Sequence, residues 1–161
     1  MTLEELIEPQ EGWSAFPYKD SAGIWTIGWG HNMQEPWSDN LKSLLGWPAR
    51  NLYVTGITGE EGDAILKDDV QNAIKECQTL PYWESLDNVR QAVVADMVFN
   101  MGKARFLGFH RLNLALAAGT YQAAGHEMKD SNWYDEVHPI RADKLIAMMI
   151  TGEIPACDAK G

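Results

Sequence analysis

The sequence predicts an α+β fold that is mainly helical, with a small N-terminal lobe built on a β-hairpin, one long connecting helix and a helical remainder. Three observations carry this reading. Between Trp13 and Trp29, aromatic and β-branched residues are interrupted by turn formers. Thr58 and Glu61 form a capping box that opens a run of apolar residues at helical spacing. Beyond Val89 the apolar patterns are all helical and are punctuated by glycine.

The elements follow in chain order. Thr2 and Glu5 form a first capping box for a short helix carrying Leu3, Leu6 and Ile7, and Pro9 should end or kink it. Phe16 and Tyr18 lead to the turn Asp20-Ser21-Ala22-Gly23, and Ile24-Trp25-Thr26-Ile27-Gly28-Trp29 returns, which makes the hairpin. By parity, Trp25 and Trp29 fall with Ile27 and are expected in the lobe's core, opposite Thr26; Trp13 and Trp37 are then the candidates for exposed stacking. From Gln34 to Gly56, Pro36, Gly46 and Pro48 break any period, which reads as loop with a short helix at most. Leu66, Val70, Ala73, Ile74 and Cys77 place the long amphipathic helix at about residues 58–79. Val89 to Phe99 is apolar on nearly all sides and stops at Gly102, as a buried central helix does. Helices are expected from Leu112 to Ala118, from Thr120 to Lys129, and from Pro139 to Thr151 before Gly152. The expected organisation is one domain over residues 1–161: a small lobe at about 12–58, the connecting helix, and a helical lobe at about 80–161 joined by the N-terminal helix.

Composition narrows function by exclusion. With 161 residues and 45% hydrophobic content the chain can bury a substantial core. A formal net charge of −10 opposes nucleic acid and anionic membrane surfaces, so neither is expected as a partner. No apolar run has membrane-spanning length, and the start Met1-Thr2-Leu3-Glu4-Glu5 lacks the pattern of a secretory signal. The expectation is a soluble monomer made in a cytoplasm. Cys77 and Cys157 are too few for a disulfide framework and are read as free thiols. His31, His110, His126 and His138 lack the paired spacing of a metal site, so no metal is expected, and a zinc amidase or peptidase ranks low.

Glu11 follows the first helix and Asp20 opens the hairpin turn, so two carboxyl groups from different elements can converge on one groove. Glycoside hydrolysis needs such a pair: one protonates the leaving oxygen while the second serves the water or the cation-like transition state. Thr26 lies on the returning strand, where it can turn its hydroxyl toward Asp20. Singly, each has an ordinary explanation: solvated surface, turn former, β-propensity.

The surrounding motifs reverse that weighting. Glu11, eight residues, Asp20, five residues and Thr26 are embedded in Glu11-Gly12, Tyr18-Lys19-Asp20 and Thr26-Ile27-Gly28-Trp29-Gly30-His31. Further on stand Gly56-Ile57-Thr58, Ser85-Leu86-Asp87-Asn88-Val89-Arg90, Met97-Val98-Phe99-Asn100-Met101-Gly102, Ser131-Asn132-Trp133-Tyr134 and Arg141-Ala142. In these motifs, over nearly its whole length, the chain resembles the T-even phage lysozymes of glycoside hydrolase family 24. The resemblance implies a lysozyme-like fold and hydrolysis, with inversion and without cofactor, of the bond between N-acetylmuramic acid and N-acetylglucosamine in bacterial peptidoglycan. It also implies synthesis in the host bacterial cytoplasm and access to the wall through a separate pore.

By position, the resemblance makes Glu11 the general acid and gives Asp20 and Thr26 the water. It makes Asn32 and Phe99 substrate-binding residues, pairs His31 with Asp69 as structural support, and sends Arg141 toward the acid. The chain departs from the family where Arg111 and Leu112 replace small polar groups and Glu127 replaces an amide. The alternative is a non-catalytic wall-binding or virion-structural domain on the same fold.

Overall fold

A computed structural model of the chain describes residues 2–7, 9 and 12–156. Its contacts divide the chain into two compact units, Pro9–Asn72 and a second formed by Met1–Glu8 with Ala73–Gly161. The fold class is the expected one, α+β and mainly helical, with a small three-stranded antiparallel sheet near the N-terminus.

In the unit Pro9–Asn72, β1 (Ser14–Lys19), β2 (Trp25–Gly28) and β3 (His31–Asn32) form that sheet in the order β1-β2-β3. Tyr18 pairs with Thr26 and Thr26 with Asn32, so three side chains form one row across the sheet. Ile27 pairs with His31, which puts both on the opposite face. The β1–β2 register slips between Ser14 and Tyr18, around Pro17, whose nitrogen has no hydrogen to give a ladder. The two-residue β3 is too short to be read from a period of two.

The stretch expected to be mostly loop contains two helices, α2 (Asp39–Leu45) and α3 (Leu52–Thr55). Ser38 caps α2 by accepting from the Leu41 amide at 3.2 Å, and Gly46 closes it with φ of 68°. Their apolar faces supply Leu41, Leu45 and Leu52 to a core with Ile27, Trp37, Ile57 and Ile65.

These helices overturn the expectations for two tryptophans. Trp37 is only 8% exposed and belongs to the core, with its ring 4.4 Å from that of His31. Trp25 is 36% exposed: it sits at the turn end of β2, edge-on to Tyr53, with the Lys19 ammonium 5.4 Å above it. Parity assigned faces correctly only where a neighbouring element covers the sheet. Trp29 is partly buried and donates its indole N–H to Asp63 at 3.2 Å, while its ring packs on Trp13, which is exposed as expected.

Two glycines allow close approaches in this unit. A Cβ on Gly56 would lie 2.8 Å from the Ala15 carbonyl oxygen, where the chain returns to β1, and one on Gly62 would enter the Trp13 ring.

The long helix, α4, spans Gly59–Cys77, against the expected 58–79. Its capping box is present: the Glu61 amide donates to Thr58 Oγ1 at 3.1 Å and the Thr58 amide to Glu61 Oε1 at 2.9 Å. The Arg50 guanidinium also binds Glu61, at 2.5 and 3.0 Å, and holds its carboxyl below the usual carboxylate range. A carboxyl whose folded pKa is depressed stabilises above its unfolded value and loses that contribution as pH falls through the folded one. Glu61→Gln keeps a capping amide and removes the charge, so its melting temperature should lie about 2–4 °C below wild type at pH 7. Melting curves should converge on acidification below about pH 4, and a difference independent of pH would contradict the pairing.

The second unit is built on α5 (Asn88–Met101), capped by Asp87, in which every residue from Ala92 to Val98 is buried. Around it lie α1 (Leu3–Leu6), which packs on α5, and α6 (Lys103–Leu107), α7 (His110–Ala118), α8 (Tyr121–Lys129), α9 (Asn132–Glu136) and α10 (Pro139–Thr151). Both expected termini of α10 hold, with proline at the start and Gly152 in the left-handed region at the end. The five-residue α6 and α9 were not expected, being too short for a helical period to declare itself.

Gly125 lets α8 lie against α10, since a Cβ there would be 2.5 Å from Ile150 Cγ1. Arg90 ties α5 to the end of α10 by donating to the carbonyls of Met149 at 2.7 Å and Ile150 at 3.0 Å, with its guanidinium 3.9 Å from the Tyr121 ring centroid. Cys77 is a free thiol, and burial pushes its pKa up to about 12; Cys157 lies outside the described residues. No helix among the described residues is long and apolar enough to cross a membrane.

Candidate active site

Asp20 occupies the first position of the hairpin turn, where the chain must reverse within a few residues. Its Oδ1 accepts the amides of Ala22 and Ile24, each at 2.9 Å, and the Gly23 amide donates to its carbonyl at 3.0 Å. This is the turn-forming role that an aspartate takes at such a position, but it engages one carboxylate oxygen. Oδ2 has no partner among the described residues.

Thr26 is 3% exposed. Its hydroxyl does not reach back to Asp20 as expected; it donates to the Ile24 carbonyl at 2.9 Å. The Ile24 backbone thereby joins the two: its N–H is given to Asp20, and its carbonyl accepts both the Thr26 hydroxyl and the Asp20 amide. With its one proton committed, the Thr26 oxygen faces any further polar partner as an acceptor only.

Asn32, opposite Thr26 in the sheet row, accepts the Gln34 amide at 2.8 Å through Oδ1. Its NH2 remains to donate, as recognition of a carbonyl requires. On the other face His31 is 5% exposed, and its Nδ1 lies 2.8 and 3.0 Å from the two oxygens of Asp69 on α4. The expected pair is therefore in contact and ties β3 to the helix.

The remaining candidates belong to the helical unit. Phe99 is half-buried near the end of α5. Arg141, on α10, donates through Nη2 to Asp96 Oδ2, and Asn100 Nδ2 donates to Asp96 Oδ1 at 3.0 Å. Asp96, only 1% exposed, was not singled out in the sequence. The available signal was a carboxylate in the middle of the apolar run from Val89 to Phe99, since a buried charge demands a partner. Glu11 lies outside the described residues, and with it the expected approach of Arg141 to the acid.

The profile of the family described as phage lysozyme matches residues 8–141. The chain belongs to the phage lysozyme family. As a phage-lysozyme-family protein it is similar to "Probable T4-type lysozyme 1" of Dictyostelium discoideum, 27% identical over 96% of this chain and 97% of that protein. "Probable T4-type lysozyme 2" of the same organism is 26% identical over 95% and 96%. The "Pre-baseplate central spike protein Gp5" of Enterobacteria phage T4 is 30% identical over 96% of this chain but over only 28% of its own length. The same family sequence thus stands almost alone in two relatives and as a fraction of a longer protein in the third.

Proposed function

We propose that this protein hydrolyses the β-1,4 bond between N-acetylmuramic acid and N-acetylglucosamine in peptidoglycan, with inversion at the anomeric carbon, and that it thereby lyses bacterial cells. The observation that carries the proposal is the pair of acceptors on one hairpin, Asp20 Oδ2 and Thr26 Oγ1, linked through Ile24. A water that donates one hydrogen to each keeps a lone pair for attack, and the carboxylate takes the proton that the attacking oxygen sheds. Glu11 is the proton donor to the leaving oxygen, by its position in the family motif. Asn32 offers its amide hydrogens to an acetamido carbonyl, Phe99 underlies a sugar ring, and Arg141 and the His31–Asp69 pair act as supports.

Mass spectrometry of the products from purified peptidoglycan tests the bond assignment: fragments should end in N-acetylmuramic acid, and cleaved peptide stems in place of cleaved glycan would overturn it. The stereochemistry has its own test. An NMR time course should show the inverted anomer first, and initial retention would make Asp20 a nucleophile and displace the water from the mechanism.

The net charge of −10 bears on delivery to an anionic wall. Like-charge repulsion is relieved as the screening length falls from about 30 Å at 0.01 M to about 10 Å at 0.1 M ionic strength. The initial lysis rate on purified walls should therefore rise as salt is added from low levels, and a monotonic fall would show that local attraction outweighs the net charge.

The match to a central spike protein favours a second reading, a lysozyme module that serves a virion structure. A turbidity assay on peptidoglycan separates the two readings where that module is catalytically silent.

A further inference from the structure

Two glycines of the small unit leave a notch, and one tryptophan ring fills it. Gly28 ends β2 and Gly62 stands in the first turn of α4, and the Trp13 ring lies close to both. A Cβ on Gly62 would come within 2.1 Å of Trp13 Cζ3, and one on Gly28 would meet the same atom at 3.8 Å. No residue with a side chain fits at position 62 while the ring is in place. The ring also packs on Trp29, with centroids 5.5 Å apart, and Trp29 donates its indole N–H to Asp63, the next residue along α4. Trp13 is 39% exposed, yet it touches the helix directly and again through Trp29.

Trp13 stands two residues after Glu11, which itself lies outside the described residues. Covalent geometry keeps the two Cα atoms within about 7 Å of each other whatever the backbone does between them. Gly12 is exposed, and a Cβ there would meet nothing within 4 Å, so Trp13 is the first residue beyond the acid that packs on another element. Strand pairing adds little at this point: the register joins Ser14 to Gly28 and then slips before Tyr18. The place where the chain enters the sheet is therefore set by the Trp13 ring on α4.

We propose that Trp13 is a positioning residue for Glu11: seated on the backbone of α4 at Gly62, it fixes the segment from which the acid reaches the leaving oxygen. This role rests on the hydrolase reading above. A proton donor must come within hydrogen-bond reach of the oxygen it protonates, and a misplacement of about 1 Å can cost on the order of 10²-fold in rate. A ring that only packs predicts something different. On helix propensity alone Gly62→Ala improves α4, and loss of a partly exposed ring lowers stability without selecting one kinetic constant.

Kinetics of the full chain on solubilised peptidoglycan, measured well below the melting temperature, provide the test. Trp13→Ala should lower kcat by about 10²-fold and leave KM within about twofold, since it removes neither Asn32 nor Phe99 from the sugar. Trp13→Phe, which keeps a ring on the helix, should recover kcat to within about fivefold of wild type. Gly62→Ala should lower kcat by about tenfold or more when Trp13 is present, and by less than about twofold in the Trp13→Ala background, where no ring remains to be displaced. The amides of Ala22 and Ile24, which report the Asp20 turn, should keep their wild-type NMR shifts in every variant. Near-normal kcat in Trp13→Ala, a KM effect as large as the kcat effect, equal losses from Gly62→Ala in both backgrounds, or a disturbed turn overturns the assignment. A further arm needs no activity: NMR relaxation of the Gly12 amide should give an order parameter below about 0.6 in Trp13→Ala and the wild-type value in Trp13→Phe. An unchanged order parameter in Trp13→Ala also overturns the assignment. A wild-type protein that cleaves no glycan would sink the hydrolase reading, and the Gly12 measurement would still decide whether Trp13 anchors the segment.

Discussion

Glu11→Gln should lower the initial rate of peptidoglycan hydrolysis by about 10²–10⁴-fold, because glutamine keeps the shape of the side chain and has no proton to give the leaving oxygen. The companion variant Asp20→Asn separates chemistry from folding more sharply. Asparagine retains an Oδ1 to accept the Ala22 and Ile24 amides, so the turn survives, while the acceptor charge at the second oxygen disappears. Asp20→Asn should stay within about 1 kcal/mol of wild-type stability, as a replacement that leaves the turn hydrogen bonds in place does. Near-normal hydrolysis by Glu11→Gln would remove it as the proton donor. Loss of activity together with loss of the fold in Asp20→Asn would return that residue to a purely structural role.

Arg141→Met should destabilise the protein by about 3–5 kcal/mol, the usual consequence of leaving one member of a buried ion pair without its partner. Asp96 is 1% exposed, sits between buried Ala95 and Met97 in the middle of α5, and loses its charged partner on α10 when the guanidinium is gone. At about 2–4 °C per kcal/mol, a fall in melting temperature on the order of 10 °C is expected. The double variant Asp96→Leu with Arg141→Met should recover most of the loss, since two apolar side chains replace two charges that had to be desolvated. A single variant within 1 kcal/mol of wild type would mean that water reaches the Asp96 carboxylate. Activity measured well below the melting temperature then reports any separate part Arg141 plays in catalysis.

Local signals carried much of the architecture. The boxes Thr2/Glu5 and Thr58/Glu61, the cap at Asp87, Pro139 at the start of α10 and Gly152 at its end are encoded within a few residues, because a helix terminus is satisfied by its immediate neighbours. The hairpin was legible for the same reason, its turn being written in Asp20-Ser21-Ala22-Gly23. The candidate residues Glu11, Asp20 and Thr26 were singled out through the family motifs that surround them, since each residue taken singly has an ordinary explanation. What spacing did not carry was the bonding: only the folded turn routes the Thr26 hydroxyl to Ile24 and leaves one Asp20 oxygen open.

Tertiary structure decided the rest, for reasons of coverage and distance. Trp25 and Trp37 exchanged their expected environments because burial depends on which element lies over a side chain, and here α2 and α3 cover Ile27 and enclose Trp37 while Trp25 stays at the open end of the hairpin. Asp96 and Arg141 are 45 residues apart, so nothing local foretells that a charge in the apolar run meets its counter-ion on another helix. Helix caps and turns are fixed by groups a few bonds away, whereas burial and ion pairing depend on surfaces that exist only once distant segments have packed.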